Sequence, residues 1–142
     1  MAKYFEWIDS YSVGVKRFDD AHKRLIAIIN GFCTASIENK PFEELTEQLI
    51  ALIRYARHHF REEEDWMKST DYPLFAEHRA RHDSLFDQVL GFTQDFLHGR
   101  LDKSQLTEFL IDWLLSHILG EDMKYRAHHE QVGTGAATMG NA

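Results

Sequence analysis

The chain has one cysteine, Cys33, so it can form no internal disulfide. Cysteine-rich zinc and iron–sulfur sites are excluded for the same reason. A lone thiol among apolar neighbours fits a small inert core residue in a reducing compartment. Proline and glycine are also scarce, two and eight in 142 residues. Both weaken helix interiors, so their scarcity favours a helical protein. Positive charge is in deficit, with 16 Lys and Arg against 23 Asp and Glu and a net charge of −7. Nucleic acid and anionic membrane surfaces are therefore not expected partners. Every apolar run is broken by charge or histidine well short of the ~20 residues that a spanning helix needs, so no membrane insertion is expected. The opening MAKYFEWIDSYS carries Glu6 and Asp9 and does not read as a secretory signal. The expectation is a soluble cytoplasmic chain, long enough to bury a core in one domain.

Four segments have helical periodicity. The first runs from about Asp19 to Glu38 and carries Leu25, Ile26, Ile29, Phe32 and Cys33. The second opens at Pro41, read as a first helical position, with Glu43 and Glu44 in the turn where the helix dipole favours anions. Its stripe is Leu45, Leu49, Leu52, Ala56, His59, Glu63 and Met67. The third spans about Leu74 to Leu97, with Phe75, His78, His82, Leu85, Val89, Phe92 and Phe96 inward. The fourth opens near Asp102 or Ser104, either a sound N-cap, and runs through Leu106, Phe109, Leu110, Trp113 and His117 to about Ala127. Short connections between such helices predict an all-α, antiparallel up-down four-helix bundle. Residues 1–127 form the bundle, with the aromatic N-terminal segment packed over it as a loop. Residues 128–142, small and Gly-rich, form a flexible tail.

The inward stripes are interrupted by polar residues of one chemical kind. They are His22 on the first helix, His59 and Glu63 on the second, His78 and His82 on the third, and His117 on the fourth. Burying a bare carboxylate or several imidazoles is costly unless they are paired or bind a metal. Residues at i and i+4 share one helix face, so His59–Glu63 and His78–His82 can each converge on a point. Asp122 lies five residues beyond His117, about 140° round an ideal helix. Spacing alone does not select it over Glu121. A lone inward histidine is usually a hydrogen-bonded core residue, and His22 by itself reads so. Four helices that each present one, with a glutamate in phase, favour a metal site. His58, His98, His128 and His129 read as surface residues, and Glu62, Glu64 and Asp65 as the solvated face. Five histidines and one or two carboxylates are too many for one ion and suit two bridged ions. Imidazole suits Fe, Zn, Cu and Ni alike, so ligand type does not name the metal.

Taken together, VGVKRFDDAHKRLIAIIN, HHFREEEDWM, YPLFAEHRARH and WLLSHILGEDMKY resemble the hemerythrins, and among them the single-domain bacterial ones. The resemblance reaches to about Arg126. It departs at Ala21, where a Gln often precedes the first histidine, and at Phe18, which replaces an aliphatic residue. It implies two non-haem iron ions with an oxo or hydroxo bridge. His78, His82 and His117 would bind one iron, His22 and His59 the other, and Glu63 and Asp122 would bridge them. Asp122 is chosen over Glu121 by the resemblance alone. Leu25, Phe60, Trp113, Ile118 and Leu119 would line an O2 pocket.

The expected function is reversible O2 binding for storage, transport or delivery, not enzymatic turnover. An O2-consuming or respiratory protein would receive the O2. The alternatives are sensing of O2, NO or redox state through a separate partner, a peroxidase-like di-iron enzyme, or a structural zinc bundle.

Overall fold

The apolar stripes fold as their periodicity predicts. In the computed structural model, residues 6–129 are described, apart from the side chains of Leu119 and Glu121. The helices are α1 (Lys16–Ile37), α2 (Phe42–Ser69), α3 (Phe75–Leu97) and α4 (Lys103–Ser116). A π-helical segment, His117–Asp122, continues α4, and residues 123–129 return to regular helix. Helix α1 packs against α2 and α4, and α3 packs against the same two. Connections of four or five residues make sequence neighbours antiparallel. Residues 1–5 and 130–142, which include Tyr4, Phe5 and most of the expected tail, lie outside the described residues.

Three helices end in the same way. After α1, α2 and α3 the chain turns through a left-handed residue: Asn39 (φ 53°), Asp71 (φ 54°) and Gly99 (φ 74°). Gly, Asn and Asp tolerate this conformation best. Each turn ties a later N–H back to the last helical carbonyls. Lys40 N–H donates to Ala35 O at 2.9 Å, Tyr72 to Met67 at 2.8 Å and Arg100 to Asp95 at 2.8 Å. At the start of α4, Asp102 accepts from Gln105 N–H at 2.8 Å, and the Gln105 side chain accepts from Asp102 N–H at 3.0 Å. That reciprocal pair satisfies two orphan donors. Pro41, expected as the first helical residue, is instead the N-cap of α2, one position before Phe42.

Helix α1 starts at Lys16, earlier than the stripe suggested, because Asp19 belongs to its first turn. The Asp19 carboxylate accepts from Ser12 Oγ at 2.6 Å and from Val13 N–H at 2.8 Å. It thereby pins the N-terminal loop across the bundle end. Val13 and Val15 from that loop join Phe18, Met67, Tyr72 and Tyr125 in a small cluster of their own. The main core is formed by Leu25, Ile29, Leu49, Leu52, Leu106, Leu110 and their neighbours. On α3 the expected stripe drifts. Phe92 is half-buried and stacks on Phe109 at 3.6 Å, while Thr93 takes the buried position. Thr93 can do so because its hydroxyl donates to Val89 O at 2.7 Å.

Candidate metal centre

The bundle end beneath the N-terminal loop holds the six polar residues expected inward, together with Asp122, which the resemblance alone implied. Helix α1 supplies His22, α2 supplies His59 and Glu63, and α3 supplies His78 and His82. The fourth helix supplies His117 and Asp122. None is more than 3% exposed. The i,i+4 pairs meet as helix geometry requires: His78 Nε2 and His82 Nε2 lie 3.0 Å apart. The five-residue step from His117 to Asp122 is accommodated by the π-helical segment that spans them. Hydrogen bonding from i to i+5 widens the turn, so residues five apart lie nearly above one another. His117 Nε2 is 2.8 Å from Asp122 Oδ1 as a result.

The donors form two overlapping groups. Glu63, His78, His82, His117 and Asp122 make one; His22, His59, Glu63 and Asp122 make the other. Glu63 and Asp122 belong to both. His82 Nε2 stands 3.0 Å from His78 Nε2 and 3.1 Å from His117 Nε2. Three imidazole nitrogens this close are held by N–H···N hydrogen bonds in the metal-free site, and the same spacing suits a shared cation. Donors bonded at about 2.1 Å to one ion, as imidazoles are to first-row metals, stand about 3 Å apart at right angles. On the other side, both nitrogens of His22 and His59 and both oxygens of Asp122 are buried without an aligned hydrogen-bond partner. Orphaned buried groups of this kind are costly unless an ion satisfies them. The residues present fit a pair of metal ions.

The protonation pattern of the metal-free site is that of a cage of mutual charge. Burial lowers the His22 and His117 imidazoles, but the adjacent carboxylates of Asp122 and Glu63 outweigh it and raise them to about 9 and about 10. For His59 burial wins and its pKa falls. Burial raises Glu63 and Asp122, and the surrounding imidazoles more than reverse it, so both stay ionised far below the usual carboxylate range. At neutral pH the protonated His22 and His117 balance the ionised Glu63 and Asp122, so metal ions would bind by displacing the imidazole protons.

Two supporting residues escaped the sequence reading. Glu64 was assigned to the solvated face, yet its side chain is only 19% exposed and accepts from His82 Nδ1–H at 2.8 Å. With Arg57, Arg61 and Arg79 it lines a surface cavity of about 220 Å³. The bond fixes the His82 tautomer and leaves Nε2 free toward the other donors. Tyr125 is fully buried, and its hydroxyl donates to Glu63 Oε2 at 2.5 Å. It lies three residues beyond Asp122, a spacing that could have marked it. His58 points outward as expected and pairs with Glu62 at 3.0 Å. His128, expected at the surface, is half-buried, and its ring nitrogen donates to Thr70 O at 3.0 Å.

Of the expected O2-pocket residues, Leu25, Phe60, Trp113 and Ile118 are all buried in the main core. Phe60 stacks on His82 at 4.1 Å and meets His117 edge-on at 5.3 Å. Trp113 lies beyond Phe60 at 6.1 Å, and its indole N–H donates to Leu85 O at 3.0 Å. The side chain of Leu119 is outside the described residues.

Comparison with known proteins agrees with this geometry. Residues 13–128 match the family model described as the hemerythrin HHE cation binding domain. The bacteriohemerythrin of Clostridium acetobutylicum is 29% identical over 128 residues, covering 85% of this chain and 98% of that protein. That of Methylococcus capsulatus is 37% identical over 109 residues, covering 75% and 82%. A wild-type hemerythrin crystal structure superposes with a TM-score of 0.78 at 30% identity, covering 88% of this chain and 97% of the other. With the family model spanning most of the sequence and the donor cluster inside that span, this chain belongs to the hemerythrin family.

Proposed function

We propose that the chain binds O2 reversibly at a non-haem di-iron centre held by His22, His59, Glu63, His78, His82, His117 and Asp122. The observation that carries this reading is the pair of buried donor groups sharing Glu63 and Asp122. In it, His78, His82 and His117 would hold one iron and His22 and His59 the other, with Glu63 and Asp122 shared between the two groups. When bound, the two ferrous ions supply the electrons that O2 borrows and returns.

The chain's own residues keep the exchange reversible. Five neutral imidazoles and two carboxylates bring less negative charge than the carboxylate-rich di-iron sites of ferritin-like bundles, so they give less support to O–O cleavage. The group with two histidines has fewer protein donors and leaves room for O2. Leu25, Phe60, Trp113 and Ile118 wall that room and keep water and protons out. Glu64 and Phe60 hold the His82 ring in place from two sides. As a carrier or store in the cytoplasm, the protein turns over no substrate and passes O2 to an O2-consuming or respiratory protein.

The test is metal content per chain together with the visible spectrum of the reduced protein before and after air. Two irons, and colour that develops with O2 and fades when O2 is removed, is the expected result. Two irons with immediate irreversible oxidation would replace the carrier by a sensor or a peroxidase-like enzyme. Zinc and a colourless protein would overturn the reading.

A further inference from the structure

A line of oxidisable rings leads from the buried carboxylates to the surface. Tyr125, hydrogen-bonded to Glu63, has its ring 5.4 Å from that of Trp66, centroid to centroid. Trp66 is half-buried and forms part of the wall of a surface concavity with Arg17, Glu62, Asp65 and Ser69. Phe18 packs edge-on against both rings, at 5.7 Å and 5.8 Å, and fills the space beside them. Phenol and indole are the side chains that give up one electron most readily after a thiol, and Cys33 is buried at the other end of α1. Reversible O2 binding uses neither ring in that capacity.

We propose that Tyr125 and Trp66 form a relay that carries one oxidising equivalent between the buried site and the surface, and that it spares the site histidines when hydrogen peroxide is the oxidant. The iron-loaded site, when reduced, would supply one electron to peroxide, giving hydroxide and a hydroxyl radical. The radical takes a hydrogen atom from the Tyr125 phenol and becomes water. Trp66 then gives Tyr125 one electron. The half-buried indole releases its N–H proton to solvent, and the phenol takes one from the water just formed beside it, which leaves hydroxide. A small thiol at the surface returns a hydrogen atom to Trp66, and two thiyl radicals couple as a disulfide. Indole and phenol radicals lie close in potential, so the pair conducts either way and the thiol drain sets the direction. The relay itself needs no metal; only its protective use rests on the di-iron reading.

The relay is tested on the full-length, metal-free chain. In Trp7→Phe/Trp113→Phe protein, Trp66 is the sole indole. Azidyl radicals made by pulse radiolysis oxidise it and become azide. The expected result is decay of the indole-radical band with matching growth of the tyrosyl band, first-order and independent of protein concentration. Tyr125→Phe should slow that phase by an order of magnitude, and Tyr72→Phe should leave it unchanged. Absence of the first-order phase in the Trp66-only protein overturns the relay, as does a phase insensitive to Tyr125→Phe. For the protective use, ferrous iron-loaded protein is treated with dilute peroxide and its peptides are mapped by mass. Added oxygen should fall on Trp66 in the parent and shift to His22 and His59 in Tyr125→Phe. Equal histidine oxidation in both overturns the protective role. Failure to load iron would defeat the di-iron reading and leave the radiolysis result standing.

Discussion

Glu64→Ala removes a carboxylate that touches the donor cluster only through the back of one imidazole. In the folded chain, Glu64 Oε2 accepts from His82 Nδ1–H at 2.8 Å and Arg79 stands 3.9 Å from its other oxygen. Without Glu64 the His82 ring is free to place its proton on Nε2, the nitrogen that faces His78 and His117. Loss of such a partner costs metal affinity about 10–100-fold. That corresponds to about 1.4–2.8 kcal/mol. The lower half of the range is expected, because the 19% exposure of Glu64 lets water replace part of the bond. Glu64→Gln keeps an acceptor oxygen but not the charge, so it should lose less. The assay is anaerobic competition of the apo-protein with a chelator for ferrous iron, with circular dichroism to confirm the fold. Glu62→Ala is the control, since Glu62 is more exposed and pairs only with outward His58 among the described ion pairs. The reasoning is refuted if Glu64→Ala binds iron as tightly as the parent, or if Glu62→Ala loses as much.

Other outcomes follow from the same geometry. Glu63→Ala should lower iron content and destabilise the apo-protein by about 3–5 kcal/mol, because it strands buried imidazoles and the Tyr125 hydroxyl; chemical denaturation and metal analysis check both. The metal-free protein should melt at progressively lower temperature as pH rises. His22 and His117 bind protons more tightly folded than unfolded, so their stabilisation is complete below 6.5 and is lost as pH passes through about 9 and about 10. His59, lowered by burial, opposes folding only below 6.5. Calorimetry across that range should show the slope in the apo-protein and not in metal-loaded protein, whose imidazoles are already deprotonated ligands. Asp102→Ala removes half of a capping box and should cost about 0.5–2 kcal/mol without changing iron content. A denaturation midpoint equal to that of the parent would count against the cap.

How far the sequence reaches differs from residue to residue. The stripe from Leu45 to Met67 is buried position for position, because helical period is a property of the backbone within one element. His59–Glu63 and His78–His82 are legible for the same reason. Asp122 is not: its step of five fits no regular α-helix, and only the π-helical turn between His117 and Asp122 brings the two together. Family resemblance supplied that residue, and local geometry explains it.

What the sequence by itself determined is therefore everything written in local period and composition. That covers four amphipathic helices, the short turns that make them antiparallel, and the donors that share a helix face. Tertiary structure alone decided what depends on how helices are rotated and offset against one another. Glu64 sits one step off the inward stripe of α2, yet it meets the flank of α3 and becomes the hydrogen-bond acceptor of His82. Tyr125 reaches Glu63 across 62 residues of chain, and Trp66 is brought beside Tyr125 in the same way. Pairings between elements are set by packing of whole faces, and no periodicity within one helix encodes them.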